Sequence, residues 1–348
     1  MAAAGVARVV SRMSPVLLRL FYALVARQQR GACVALEEDV EVGLLPEVWL
    51  HVLSFLPPGD LGNVALVARG LGELATLPRL WSAAVIKKIR FRSFGLQQFF
   101  AVKRFTHISA LDFSRIQMGE ESVPQLLQWS LTSHLESLDL TGLNLSPLQS
   151  SLLSPALHRL RRAFLGFTKL TADQTIHFFS HCHELTEVRI TGVFCDIQND
   201  QLNLMIDNFP PSLLKVDLSL CFNLTDFHIE KLAQKCNKIT EISLFGTNVT
   251  KQSVISIVKN LKNSLEVLDL MRCDNINLDD IFEAVGSLPK LKYLHYEVHG
   301  NLYNYARSDP TLELPCKFCQ SCERLKKERP GLFIKDGPYF AIARVDNL

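Results

Sequence analysis

The sequence has no long hydrophobic run. In its 348 residues the longest uninterrupted apolar stretch is Leu20 to Ala26, seven residues, far short of the ~18 that a spanning helix requires, so no integral membrane segment is expected. It has little excess of either charge: 37 Lys and Arg stand against 35 Asp and Glu. A chain built mainly to coat nucleic acid needs a strong basic excess or stripe, so no nucleic-acid partner is expected. Enzyme motifs are missing too, with no G-x-x-x-x-G-K-S/T phosphate loop, G-x-S-x-G elbow or H-E-x-x-H pair. No catalytic residue and no cofactor follow from the sequence. The nine cysteines are an odd number scattered over a long chain rather than the dense even framework of small secreted domains, and read as reduced thiols of an intracellular protein. What is present is a chain 48% hydrophobic and 21% charged, a composition that folds, with length for about two domains.

Charge is unevenly placed. The first 36 residues hold five arginines and no acid, which leaves 32 basic against 35 acidic residues in the rest. At ~100° per residue Arg8, Arg12, Arg19, Arg27 and Arg30 share one side of a helix and Val9, Val10, Met13, Leu17, Leu20, Phe21 and Leu24 the other, with an interruption at Pro15. Residues 1–40 are therefore a basic arm, readable as a mitochondrial transit peptide, a membrane-surface helix or a flexible tail without an address.

Residues 41–90 read as a small helical module. Pro46 suits the first turn of a helix whose apolar residues are Leu45, Val48, Trp49, Val52, Leu53 and Leu56; Pro57, Pro58 and Gly59 stop it. Asp60 is placed to cap a second helix with the stripe Leu61, Val64, Ala65, Ala68 and Leu71. About 40 residues cannot bury a core of their own, so the unit must pack on a neighbour or a partner.

Residues 91–300 are periodic. L-x-x-L-x-L segments begin at Ile108, Leu135, Leu160, Leu185, Leu213, Ile239, Leu265 and Leu291, with gaps of 27, 25, 25, 28, 26, 26 and 26 residues. A period of 20–29 is that of leucine-rich repeats, each contributing a short strand and a helix to a curved solenoid. Alternation within each strand sends Leu138 and Leu140, Val188 and Ile190, Val216 and Leu218, and Leu268 and Leu270 to the core. The intervening residues then face a concave surface, with a central column of Asp112, Asp139, Phe164, Arg189, Asp217, Ser243, Asp269 and His295. On it Phe164, Arg189, Phe245, Asp269, Met271 and Tyr293 are the candidate substrate contacts, because aromatic and Met side chains among charges make interface hot spots.

Two resemblances follow from these residues. Leu45-Pro46-Glu47, Leu56-Pro57-Pro58-Gly59-Asp60-Leu61 and Leu80-Trp81 resemble the F-box in order and spacing. The chain departs from a common F-box pattern at Val67-Ala68-Arg69-Gly70-Leu71, where a Cys and a Trp are replaced. The repeats resemble the cysteine-containing leucine-rich subfamily found behind F-boxes. The fold implied is α/β, a small helical F-box-like module followed by a leucine-rich-repeat solenoid with a parallel concave sheet and outer helices. The function implied is substrate recognition in an SCF-type ubiquitin ligase, without catalysis by this chain. The F-box would bind the Skp adaptor and through it the cullin scaffold, and the solenoid would bind a protein substrate. Leu45, Pro46, Val48, Leu53, Leu56, Leu61 and Trp81 match the motif and are candidates for adaptor contact or module core. Two other readings stand beside this one: a repeat scaffold outside ubiquitin ligation, and a mitochondrial assembly factor. The expected location is cytoplasmic or nuclear, or mitochondrial if the basic arm is an import signal.

Cys182, Cys221, Cys236 and Cys273 occupy repeat columns and Cys195 replaces a core aliphatic, so burial is expected of them. Residues 301–348 form a cap and tail. There Cys316, Cys319 and Cys322 in C-x-x-C-x-x-C spacing, with His299 as a fourth ligand, are a candidate zinc set; the alternatives are plain thiols on a terminal cap or a redox role.

Overall fold

The computed structural model describes residues 46–56, 61, 69–81, 83–85, 108–114, 123–130, 134–146, 157–193, 197–276, 278–296, 324–325 and 327–336. The basic arm, Leu45, Cys195, His299 and the Cys316, Cys319 and Cys322 trio lie outside them.

Two helices open the described chain, α1 at Pro46–Ser54 and α2 at Arg69–Ala75, followed by a 3-10 turn at Pro78–Trp81. Trp81 closes this unit: its ring is buried and its indole N–H donates to the Ala75 carbonyl at 2.7 Å. Ten short strands then form one sheet in strict chain order: β1 Ala83–Val85, β2 Ala110–Asp112, β3 Ser137–Asp139, β4 Arg162–Phe164, β5 Glu187–Arg189, β6 Lys215–Asp217, β7 Glu241–Ser243, β8 Val267–Asp269, β9 Tyr293–Tyr296 and β10 Phe333–Asp336. Every neighbouring pair is parallel. Parallel neighbours require a crossover, and among the described residues six of the nine contain a helix: α3 Val123–Ser130, α4 Ala172–Ser180, α5 Asn199–Asn208, α6 Asp226–Lys235, α7 Lys251–Leu261 and α8 Leu278–Gly286.

The eight predicted repeat starts are all buried, and so are the four predicted core pairs. They belong to one hydrophobic cluster that runs from Leu53 and Trp81 of the helical unit to Leu325 and Leu332 near the other end. The sheet also extends past both ends of the periodic segment. At its start Ala83–Val85 pairs with Ala110–Asp112. At its end Phe333–Asp336 pairs with Tyr293–Tyr296, and the Arg329 guanidinium caps the turn before β9 by donating to the Leu288, Pro289 and Leu291 carbonyls. At ~4.8 Å per strand, nine steps make a face roughly 43 Å across.

Polar residues at repeat positions tie each unit to the next. Asn223, Asn248 and Asn275 donate to the carbonyls of Ile197, Phe222 and Asn248, one repeat back. Asp226, at the start of α6, accepts from the backbone N–H and hydroxyl of Thr250 and of Ser253 at the start of α7, at 2.6–3.1 Å. Its burial raises the carboxyl pKa, but the hydrogen bonds from Ser253 and Thr250 outweigh that and hold it below the ordinary 3.8.

Candidate protein-binding surfaces

The first surface is on α1. Trp49 and Leu53 turn inward and are buried, the Trp49 indole N–H without an acceptor among the described residues. Pro46 and His51 are exposed, Val48 is 43% exposed and Phe55, just past the helix, 74% exposed. Positions 48, 51 and 55 fall on one helical stripe, and the His51 and Phe55 rings meet edge to face with centroids 4.9 Å apart. An apolar stripe with an aromatic at its end, opposite a packed face, is the arrangement of a docking helix. The motif residues therefore divide. Leu53, Leu61 and Trp81 are core, Leu56 is half-buried against it, and Pro46 and Val48 face outward. Phe55 and His51 were not singled out from sequence, because the motif names the apolar positions that match and not those left outside.

The second surface is the solvent side of the sheet. Its central column was expected to face solvent, with Asp269 among the candidate contacts, and the column's aspartates are engaged by the backbone. Asp112, Asp139, Asp217 and Asp269 each accept the backbone N–H two residues on, from Ser114, Thr141, Ser219 and Met271, at 2.9–3.0 Å. Each carboxylate closes the turn that ends its strand. A lateral chain of hydroxyls joins the last two: Thr191 donates to Asp217 at 3.3 Å, Ser219 and Ser243 are 3.0 Å apart, and Ser243 donates to Asp269 at 3.1 Å. Asp269, Met271 and Phe245 are buried, Met271 to 1% exposure. These three are corrected from exposed contacts to packed residues; Phe245 lies under the Arg272 guanidinium, 5.6 Å from the ring centroid.

The exposed candidates are Arg189 and Tyr293, with Phe164 half-buried. The Arg189 guanidinium stands 4.7 Å above the Phe164 ring and donates from Nε and Nη2 to Glu187 Oε1, at 3.1 and 2.8 Å. Tyr293 pairs in register with Phe333, which is exposed, and their rings are 5.9 Å apart. Elsewhere on this side Lys215 pairs with Glu241 at 2.6 Å, and just before β8 and β9 Lys292 pairs with Glu266 at 2.7 Å.

The described cysteines lie on neither surface. Cys182, Cys221, Cys236 and Cys273 are buried thiols that donate to main-chain carbonyls. Burial raises the Cys182 pKa far above the usual thiol range and pushes Cys236 and Cys273 up to about 11. His181, beside Cys182, donates from Nδ1 to the His177 carbonyl at 2.8 Å. No group of His, Cys, Asp and Glu that could hold a metal occurs among the described residues, and the tail cysteines lie outside them. No described helix is long and apolar enough to cross a membrane.

Comparison with known proteins gives a family match and likenesses to solved structures. Solved structures similar to this one include the leucine-rich repeat-containing protein LegL7 from Legionella pneumophila, at 15% identity and a TM-score of 0.46 over 73% of this chain and 83% of that one. The yeast Rad7 and Elc1 complex is similar at 13% identity and a TM-score of 0.45, over 92% of each chain. The F-box-like family model matches residues 46–87, a span that holds α1, α2, the Trp81 turn and β1. The chain thus joins an F-box-like region to a leucine-rich-repeat solenoid.

Proposed function

We propose that this protein is the substrate-recognition subunit of an SCF-type ubiquitin ligase, binding a Skp adaptor through the F-box-like region and a protein substrate through the solenoid. The observation that carries the reading is the continuity of the two parts. The F-box-like region ends in β1, which pairs with β2 of the repeat sheet, and its Leu53, Leu61 and Trp81 sit in the same core as the repeats. A receptor of this kind supplies no reacting group. It holds a bound protein at a fixed distance and angle from the conjugating machinery, which raises the effective concentration of substrate lysines there. A floppy joint would dilute that effect; a shared strand and a shared core preserve it.

In this reading Val48, His51 and Phe55 face the adaptor, and the cullin is reached through it. The reading goes with a cytoplasmic or nuclear protein. Affinity purification of the full-length chain beside Val48→Asp/Phe55→Asp tests it, with blots for the Skp adaptor and cullin. Both partners are expected with the parent and neither with the variant, whose exposed positions leave the thermal midpoint in place. Failure to recover the adaptor with the parent would reject the ligase reading.

A further inference from the structure

We propose that the solvent side of β4 and β5 is a docking site for an extended anionic peptide segment that carries an apolar side chain; this deepens the receptor reading above and rests on it. Three independent features of this one place point the same way.

The first is Phe167. It lies just beyond β4, 54% exposed, with a φ of +56°. A bulky side chain in the left-handed region costs roughly 1–2 kcal/mol. The angle belongs to the repeat's turn, since Gly142, Gly192, Leu220, Gly246 and Arg272 share it at the same position; what is particular here is an aromatic ring at that position with half of it in solvent. The ring is held from below by the next repeat: a Cβ on Gly192 would fall 2.7 Å from it. Glycine at 192 leaves the ring its place, as Gly246 does for Leu220, so an aromatic held in place is offered outward.

The second is charge. Arg162 at the start of β4 and Lys169 beyond Phe167 are exposed and form no ion pair among the described residues. Arg189 is fixed over Phe164 by Glu187, with 46% of its side chain still exposed. Arg162 stands in register with Glu187, which is already engaged by Arg189, and Arg189 stands in register with Asp217, whose carboxylate accepts from Ser219 and Thr191, whereas further along the sheet Lys215 is matched by Glu241. Asp139 on the neighbouring strand is turned into the Thr141 amide.

The third is relief. Gly166, in the turn just past β4 and between Thr141 and Thr191, puts no side chain between Phe164 and Phe167. Arg162, Phe164 and Phe167 thus follow one another along β4 and its turn, a path that a short extended peptide can track. Acidic side chains of that peptide would meet Arg162, Arg189 and Lys169, and an apolar one would cover Phe167. A basic or uncharged peptide would leave those cations unmet.

The test is an array of synthetic dodecapeptides in three sets: Glu-rich with one Phe or Leu, Glu-rich without either, and the first set with Lys in place of Glu. The full-length chain is expected to retain the first set best and the Lys set least, with retention falling as salt rises. Arg162→Glu and Phe167→Ala should each cut retention several-fold. Gly192→Ala should act like Phe167→Ala, since it displaces the ring and leaves the charges. Equal retention of the Lys set, no retention of any set, or retention untouched by Arg162→Glu would overturn the proposal. Concentration-dependent dimerisation abolished by Arg162→Glu would do so as well, by assigning the face to a second copy. Adaptor recovery separates the two claims: peptide binding absent while the adaptor is recovered rejects this site alone, and acidic peptides bound without adaptor recovery reject the ligase reading and leave the site standing.

Discussion

Strands β6 and β8 end in Asp217 and Asp269, while β4 and β5 end at the same position in Phe164 and Arg189. The difference separates what the repeat needs from what it can spare. At Asp217 and Asp269 the carboxylate accepts the amide two residues on and a hydroxyl from the preceding strand. At Phe164 and Arg189 the side chains leave the backbone alone and stack on each other. The main-chain bonds to the next repeat are alike in both, Leu165 N–H to Arg189 and Phe167 N–H to Thr191 after β4, Leu218 N–H to Ser243 and Leu220 N–H to Phe245 after β6, so the turn after β4 keeps these without a side-chain closure. A position freed from turn closure is where the solenoid can offer chemistry to a partner.

The comparison can be broken in several ways, the largest at the core beneath it. Leu218 and Leu268 lie under the Asp-ended strands, and either changed to Ala should cost about 2–5 kcal/mol in urea unfolding, the usual range for a buried Leu. Arg189→Ala, at the exposed end of β5, should stay under about 1 kcal/mol, the scale of a solvent-exposed cation–π and ion pair. Equal losses at the two places would erase the distinction.

A sharper version compares the column with itself. Asp217 accepts from the Ser219 amide, the Ser219 hydroxyl and Thr191, so Asp217→Ala should cost about 1–2 kcal/mol. Phe164→Ala should cost less than Asp217→Ala and instead weaken partner binding. The reverse order, measured by denaturation beside a binding assay, would mean that the aspartates are the contact residues after all.

Acid extends the contrast to the helical side. His228 is buried, and its Nδ1 accepts from the Thr225 amide and hydroxyl at 3.1 and 2.9 Å while Nε2 donates to the Asn199 carbonyl at 3.4 Å. Burial lowers its pKa below 6.5, the Asn199 carbonyl opposes that, and the Lys231 charge adds to it. The unfolded chain therefore takes up this proton near 6.5 before the folded one does. Its contribution is complete above that pH and is lost as the pH falls toward the lower folded value. Melting midpoints should drop between pH 7 and 5.5, about pH units that bracket the free imidazole, and His228→Gln should flatten that slope. An unchanged slope would remove His228 as its source. The smallest effect is expected from Lys215→Ala, about 0–1 kcal/mol, because both members of its pair with Glu241 keep a good part of their side chains in solvent.

The repeat period and the alternation inside each strand were legible because a buried position must be apolar in every copy. That is why all eight starts, Ile108 to Leu291, fall in the core. The sheet's outer strands were not legible. Ala83–Val85 and Phe333–Asp336 join by backbone pairing, and only a few flanking side chains, such as Trp81 and Leu332, mark them as core. Among the candidate contacts, strand parity placed Phe164 and Arg189 on the solvent side but could not reveal that Phe245, Asp269 and Met271 are covered. Parity gives a direction, and burial depends on what else arrives. Phe167 escaped notice because its signal is a backbone angle and a glycine one repeat later, a pairing that only the fold brings together.

The central claim, that the F-box-like region is a working adaptor-binding module fixed to the solenoid, is tested most directly by titrating purified Skp adaptor into the full-length chain in a calorimeter. The account predicts saturable one-to-one binding that Phe55→Asp abolishes while Arg162→Glu leaves it intact. No binding by the parent chain, or binding that Phe55→Asp does not weaken, would contradict it.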